Sequence, residues 1–402
     1  MTATSVDRTA RTVTTSRESV HAYDKLIFAT GARPAFPAVE GLHGPDGELK
    51  PGIFSFRTIR DCEAMLAWAQ TARRVAVVGG GVLGLEAGRA LLERGLEVEI
   101  VQRAARLMNL QLNPDSAAML RTTVEKLGMR VRLDASTTRV LGDVQPEGLQ
   151  LGDGSQIACD MVVFATGTRP NVQLAARAGF AVERGILVDD GMRALGSDHV
   201  YAVGECAEHR GDIYGFVAPA WEQAVVLADR LTGADPDAEY HGSKVATKLK
   251  VSGVELASMG VVEPEDDHDE LISFSEPKRG IYKTAIVRDG KLIGAILLGD
   301  LSRAPFLTQA FDMGTALPEE RAGLLFDLGE ASSGISLAEP QADELVCLCN
   351  GVSRGDIAAC VAAGAQTLAD VAARTRATTG CGSCKADVLQ LVAWATPSAI
   401  AA

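Results

Sequence analysis

No stretch of the 402-residue sequence approaches the roughly 18 apolar residues that a membrane-spanning helix needs, so no such helix is expected. Positive charge is also scarce. Lys and Arg number 39 against 52 Asp and Glu, a net charge of −13, and no basic stripe runs along any segment. That balance argues against a nucleic-acid partner. No signal-peptide pattern opens the sequence. The first twenty residues are rich in Arg, Ser and Thr, as transit peptides are, but Val6 and Val13 flank a polar stretch in a way that reads better as a β-hairpin. A cytoplasmic location is therefore expected. Aromatic residues are only 5%, against 47% hydrophobic and 23% charged, which is the profile of ordinary globular domains. What the chain has in some excess is glycine, 41 residues, as suits an α/β protein whose backbone approaches phosphates.

The densest pattern lies at residues 74–101. Val75, Ala76, Val77 and Val78 read as a buried strand, Gly79-Gly80-Gly81-Val82-Leu83-Gly84 follows, and a helix through Leu85, Ala87, Ala90, Leu91 and Leu92 runs to Gly95. Val98, Ile100 and Val101 then form the next strand. This is the βαβ unit of a nucleotide-binding fold. In Gly79-x-Gly81-x-x-Gly84 the first glycine permits the tight turn, the second lets a pyrophosphate meet the backbone, and the third lets helix and strand pack closely. The end of the second strand usually reads the ribose, an acidic residue favouring NAD and a nearby Arg accommodating NADP. Here Gln102 is followed by Arg103 and Arg106. Gln102 could bond a ribose hydroxyl, and either Arg could meet a phosphate or be an ordinary surface residue. Glu86 could lie near the nicotinamide or be a plain first-turn glutamate.

Other segments read more simply. Leu26–Ala29 is expected as a short buried strand, and 58–70 as a helix with Ile59, Cys62, Met65 and Leu66 on one face. Helices are expected at about 115–127 and 219–232, the second with Pro219 in its first turn. Two strands should flank Gly152–Gly154, and 186–206 should give two more. Residues 245–300 read as five strands, with Asp289-Gly290 as a hairpin turn and the acidic run at 263–270 as a solvated loop. Ala29-Thr30-Gly31 and Ala165-Thr166-Gly167 end two similar strands, and each is followed after one residue by Arg-Pro: Arg33-Pro34 and Arg169-Pro170. The echo suggests two related dinucleotide-binding domains. Gly204-Glu205 closes a further strand, where an acidic side chain could accept a flavin ribityl hydroxyl.

Four of the eight cysteines cluster as Cys347-x-Cys349 and Cys381-x-x-Cys384. Four thiolates suit a [2Fe–2S] cluster or a tetrahedral zinc ion. Between the pairs, Ser353–Ala363 and Thr367–Arg374 read as helices capped by Ser353 and Thr367. Cys62, Cys159, Cys206 and Cys360 read as small core residues.

With these residues in hand, the chain resembles pyridine nucleotide–disulfide oxidoreductase flavoproteins. The segments YDKLIFATGARP, VAVVGGGVLGLEAGRALLERG, FATGTRPN, VYAVGECAEHRGDIYGFVAP and ATKLKVSGVELASMG are similar to the large subunits of assimilatory NAD(P)H nitrite reductases. They are similar also to the FAD-containing electron-transfer subunits of assimilatory nitrate reductases. VCLCNGVS and TGCGSCK resemble the [2Fe–2S] domain of bacterioferritin-associated ferredoxin, which favours iron–sulfur over zinc. The resemblance implies FAD, NAD(P)H (inclining to NADH) and a [2Fe–2S] cluster as cofactors. Reducing equivalents would pass from nicotinamide to flavin to cluster, and a nitrite or nitrate reductase catalytic module would be the acceptor and partner. No protein side chain need act as a catalytic acid or base, and a homo-oligomer is left open. The alternatives are a truncated remnant or interaction module without activity, and a structural zinc platform.

The resemblance also implies an α/β architecture. An NAD(P)-binding Rossmann-like domain (58–185) is inserted in a partial FAD-binding domain (1–57 and 186–233). A β-rich α+β domain (234–330), a linker (331–343) and a small helical [2Fe–2S] domain (344–395) follow. Two departures from the family are expected. Its own FAD-binding βαβ unit would precede residue 1, so FAD binding by these residues alone is in question. The four further cysteines of a sirohaem module are absent, so this chain alone should not reduce nitrite.

Overall fold

The computed structural model describes residues 1–326, 342–343, 345–347, 350–379 and 384–395. Two compact units emerge, one of residues 1–32, 170–243 and 336–402, the other of residues 33–169 and 244–335. The chain thus leaves the first unit after residue 32, and the strand Ile53–Ser55 belongs to the second unit's main sheet.

That sheet has five parallel strands in the order Ile53–Ser55, Met161–Phe164, Arg74–Val78, Glu97–Val101 and Arg130–Arg132. Parallel strands need cover on both faces, and the sequence supplies side chains for both. Val75, Val77, Val98, Ile100 and Val163 pack with Leu85 and Leu91 of the helix Val82–Leu92 and with Leu120 and Val124 of the helix Pro114–Lys126. Ala76, Val78, Val101, Val162 and Phe164 face Val140, Leu149, Leu151 and Ile157 of a three-stranded antiparallel sheet, Thr137–Leu141, Gly148–Leu151 and Gln156–Ala158. The strands expected around Gly152–Gly154 are the last two of these.

The five expected strands of 245–300 form one antiparallel sheet in the order Ala246–Val251, Val254–Gly260, Lys291–Leu298, Ile281–Arg288 and Glu270–Glu276. Asp289 and Gly290 both have positive φ (50° and 71°), the requirement of a type I′ hairpin turn. The acidic run is less independent than expected, because Arg288 bonds both carboxylate oxygens of Asp269 at 2.6 and 2.8 Å and also reaches Glu265. Asp269 is held well below the usual carboxylate range by these Arg288 bonds. Under the sheet, Lys283 is 1% exposed. Its ammonium donates to Asp300 Oδ2 at 2.6 Å and to the Leu325 carbonyl at 3.0 Å.

In the first unit the N-terminal hairpin forms as expected, Ala3–Asp7 against Thr12–Thr15 with Val6 opposite Val13, and Val20–Ala22 adds a third strand. Leu26–Phe28 pairs in parallel with Val200–Ala202, and Ile186–Val188 with Ala207–His209. Ile27 is 44% exposed, so the first of these strands is buried on one side only. The helix Val217–Thr232 begins two residues earlier than Pro219, which lies in its first turn. The segment 58–70 is helical as Ile59–Trp68, closed by a Thr58/Asp61 capping box. Its expected apolar face is not buried: Met65 alone is, while Ile59 and Leu66 are exposed.

The described C-terminal residues comprise the strands Leu345–Cys347 and Val352–Ser353 and the helices Arg354–Ala362, Leu368–Thr375 and Lys385–Ala395. Ser353 and Thr367 cap the first two helices, each in a capping box with an Asp three residues on. The expected linker at 331–343 lies outside the described residues except for 342 and 343.

Candidate nucleotide, flavin and cluster sites

The glycine turn joins the strand Arg74–Val78 to the helix Val82–Leu92. Gly79 has φ 114°, and a Cβ there would sit 2.3 Å from the Ala165 carbonyl oxygen. A Cβ on Gly84 would sit 1.8 Å from the Gly79 carbonyl oxygen, so helix and turn are in contact through bare backbone. Gly81 differs: a Cβ there would meet nothing within 4 Å. It is also the N-cap, with no side-chain cap over the first turn. Open space above a glycine at an uncapped helix N-terminus is what a pyrophosphate requires, so these residues fit a dinucleotide. The second Ala-Thr-Gly segment lies beside this turn, for the Ala165 N–H donates to the Val78 carbonyl at 2.8 Å. Gly167 follows with φ 90° and open space around it.

Gln102 stands at the end of the strand Glu97–Val101, as the motif requires, and its side chain turns inward. Its Oε1 accepts the Gly80 N–H at 2.9 Å, and its Nε2 donates to the Arg106 carbonyl at 3.3 Å and to Asn109 Oδ1 at 3.2 Å. Gln102 therefore braces the glycine turn. Arg103 is exposed. Glu86 is half-buried and accepts the Lys250 N–H at 3.0 Å. Burial pushes its pKa up, against the lowering effect of that bond and of the Lys250 charge. Sequence reasoning gave Glu86 no partner, because Lys250 comes from a distant strand.

In the first unit, Thr30 and Gly31 are brought close to the Gly204–Cys206 turn. The Val203 N–H donates to the Phe28 carbonyl at 3.0 Å, and Cys206 Sγ to the same carbonyl at 3.4 Å. Asn171 clamps the first Ala-Thr-Gly segment: its side chain donates to the Thr30 carbonyl at 2.9 Å, and Thr30 Oγ1 donates to the Asn171 carbonyl at 2.7 Å. Gln223, almost wholly buried, accepts the Gly204 N–H at 2.7 Å. Sequence reasoning missed both amides. Gln223 lies one helical turn beyond Pro219, and that spacing was the only signal available. Gly31 (φ 60°) has open space around it, and the helix Val217–Thr232 also has no side-chain cap. These features fit the flavin end of FAD. Among the described residues of this unit there is no second strand, glycine turn and helix of the 74–101 kind. Arg33 is assigned to the other unit.

Cys347 and Cys384 are buried in one apolar cluster with Ile357, Cys360, Val371 and Val388. Cys349 and Cys381 lie outside the described residues. The Asn350 side chain donates to Cys347 Sγ at 3.7 Å and to the Arg376 carbonyl at 2.6 Å, so the loop carrying the first pair is tied to the residues leading to the second. A buried sulfur with an amide donor suits a thiolate ligand of a cluster. Of the other cysteines, Cys159, Cys206 and Cys360 are buried core residues and Cys62 is half-buried. Burial pushes the Cys159 thiol up to about 12.

Residues 1–225 match the pyridine nucleotide-disulphide oxidoreductase family, and the chain belongs to that family. Residues 246–315 match the rubredoxin NAD+ reductase C-terminal domain, and residues 345–394 the BFD-like [2Fe-2S] binding domain. Among curated proteins, the chain is 39% identical to a nitrite reductase [NAD(P)H] of Bacillus subtilis, over 94% of this chain and 46% of that protein. It is 36% identical to the assimilatory nitrate reductase electron transfer subunit of the same organism, over 98% of this chain and 50% of that protein. The chain thus spans about half the length of these relatives. Among solved structures, a ferredoxin reductase from Rhodopseudomonas palustris superposes with a TM-score of 0.70 at 26% identity, covering 82% of this chain and 80% of that one. An NAD-dependent persulfide reductase from A. fulgidus gives a TM-score of 0.68 at 26% identity, covering 81% and 64%. The family and the C-terminal domain together imply FAD, NAD(P)H and a [2Fe–2S] cluster as cofactors. Among the described residues, no helix is long and apolar enough to cross a membrane.

Proposed function

We propose that the chain moves reducing equivalents from NAD(P)H, by way of FAD, to a [2Fe–2S] cluster on Cys347, Cys349, Cys381 and Cys384, for delivery to a nitrite- or nitrate-reducing catalytic module. The observation that carries this reading is the Gly79–Gly84 turn, open at Gly81 and closed by backbone contact at Gly84, in a chain that also ends in a [2Fe-2S] binding domain. Bound FAD supplies the exchange between the two-electron chemistry of nicotinamide and the one-electron chemistry of iron–sulfur.

The protein's own residues bind and orient. Gln102 holds the Gly80 N–H, leaving the first-turn N–H groups of the helix Val82–Leu92 for phosphate oxygens. Gln223 fixes Gly204, so that Glu205 and the helix start before Pro219 are presented to a flavin. The positive end of that helix would favour negative charge on a flavin held there. Asn350 places an N–H on Cys347, which favours the anionic sulfur. The unbridged Cys62, Cys159, Cys206 and Cys360 suit a reducing compartment, and we place the protein in the cytoplasm.

The test is anaerobic. Purified chain supplied with FAD and with iron and sulfide should show flavin and cluster absorbance, bleach on addition of NAD(P)H, and pass electrons to an artificial one-electron acceptor. A colourless protein holding zinc, or an iron-loaded protein that takes up no flavin and is not reduced by NAD(P)H, would refute it.

A further inference from the structure

We propose that Asn350 is a positioning residue that raises the reduction potential of the cluster, by holding a side-chain N–H on Cys347 Sγ. This rests on the [2Fe–2S] reading of the four cysteines and names a residue that regulates how readily that site takes an electron.

The local chain brings amide and sulfur together. Leu345–Cys347 and Val352–Ser353 run antiparallel with Cys347 opposite Val352, and Gly351 has φ 61° in the reversal between them. The chain therefore doubles back and returns residue 350 to the side of Cys347. Asn350 Nδ2 donates to Cys347 Sγ at 3.7 Å, a distance that the large sulfur atom permits, and Cys347 itself is 0% exposed.

The amide is also anchored from the far side. Asn350 Nδ2 donates to the Arg376 carbonyl at 2.6 Å and to Thr379 Oγ1 at 3.3 Å. Arg376 closes the helix Leu368–Thr375 with φ 64°, and its carbonyl takes a second bond from Thr379 Oγ1 at 2.8 Å. A carbonyl can only accept, so it fixes which end of the Asn350 amide faces inward. Turned over, the amide would set its oxygen against both the carbonyl and the sulfur. The N–H at the sulfur is thus held by a bond outside the cysteine loop.

The chemistry follows from charge. Reduction places an added electron on a thiolate-bound centre, and an N–H dipole at a ligand sulfur stabilises that added charge more than the oxidised state. In a buried setting the effect is little screened by water. Losing the donor should therefore make the site harder to reduce.

The experiment is a redox titration of the full chain reconstituted with iron and sulfide, followed by electron paramagnetic resonance of the reduced centre. Asn350→Ala should lower the equilibrium constant for one-electron reduction about tenfold, or about 59 mV, the return of one hydrogen bond to a charged group. Asn350→Asp should lower it further, since its carboxylate donates nothing and adds negative charge. Thr379→Val cuts a tie between the two loops but leaves the donor on the sulfur, and should stay within about twofold of the parent. An unmoved potential in Asn350→Ala overturns the inference, and an equal fall in Thr379→Val assigns the effect to loop packing and overturns it too. One measurement needs no variant. Asn350 is the only Asn in residues 344–395, so asparagine labelled with 15N in its side chain should alter a nitrogen coupling in the pulsed resonance spectrum of the reduced parent. No such change overturns the contact while the cluster reading stands. A parent chain that takes up zinc and forms no iron–sulfur centre overturns the cluster reading and the inference together.

Discussion

Two glycines of one turn separate folding from binding. A methyl at Gly84 would overlap the Gly79 carbonyl oxygen, so Gly84→Ala must push helix from strand and should cost about 1–3 kcal/mol, read as a fall in the denaturation midpoint. A methyl at Gly81 meets nothing in the protein, and φ there is −83°, which alanine adopts freely. Gly81→Ala should therefore leave stability within about 0.5 kcal/mol but weaken NAD(P)+ binding more than tenfold, by standing where the pyrophosphate comes. Unchanged nucleotide binding in Gly81→Ala would show that the turn is not the phosphate cradle. The Lys283–Asp300 pair offers a second contrast. Removing Asp300 strands a buried ammonium, while removing Lys283 leaves a carboxylate whose side chain is 38% exposed. Asp300→Asn should cost about 2–3 kcal/mol, the figure for a broken buried pair reduced for that exposure, and Lys283→Met much less. Chiefly the Lys283 bond lowers Asp300 to about 2. Its contribution is accordingly present above the ordinary carboxylate range and lost as pH falls from about 4 toward 2, which denaturation midpoints over that interval would show to be absent in Asp300→Asn.

At the scale of the element, capping decides where the small C-terminal helices begin. Ser353 Oγ accepts the Asp356 N–H at 3.1 Å while the Asp356 carboxylate accepts the Ser353 N–H at 2.9 Å. Ser353→Ala should cost about 1 kcal/mol, seen as earlier unfolding of residues 345–394 by denaturant. These caps were legible in the sequence because a cap is a local event among four residues. So were the glycine turn, the Asp289-Gly290 hairpin and the pairing of Val6 with Val13. The helix Ile59–Trp68 was legible as a helix, but its buried face was not. Periodicity shows that apolar residues align, whereas which of them finds a partner depends on distant chain, here Phe54 against Trp68. The site followed the same division. Motif glycines were visible as spacing, but the inward turn of Gln102 depends on Asn109 and Gly80, and the hold of Gln223 on Gly204 depends on two segments meeting in space. Side-chain amides can face either way, and nothing local records the choice.

For the whole molecule, the nucleotide turn and the buried cysteines belong to separate units with separate cores, the former in an apolar cluster around Val77 and Leu85 and the latter around Ile357 and Val388. Separate cores make the two functions independently removable. Cys384 is only 4% exposed and lies within its cluster, so replacing it by Ser exchanges the proposed thiolate ligand for a poor one without adding bulk. Cys384→Ser should abolish stoichiometric iron and the visible cluster spectrum and lower the stability of residues 345–394, since metal binding and folding are coupled in a domain of this size. Its affinity for NADP+ should stay within about twofold of the parent, because no element of the nucleotide turn depends on that core. Iron content, absorbance and calorimetry on the same preparation decide the matter. Full retention of iron would remove Cys384 from the ligand set, and a parallel loss of nucleotide binding would show that the two units fold as one.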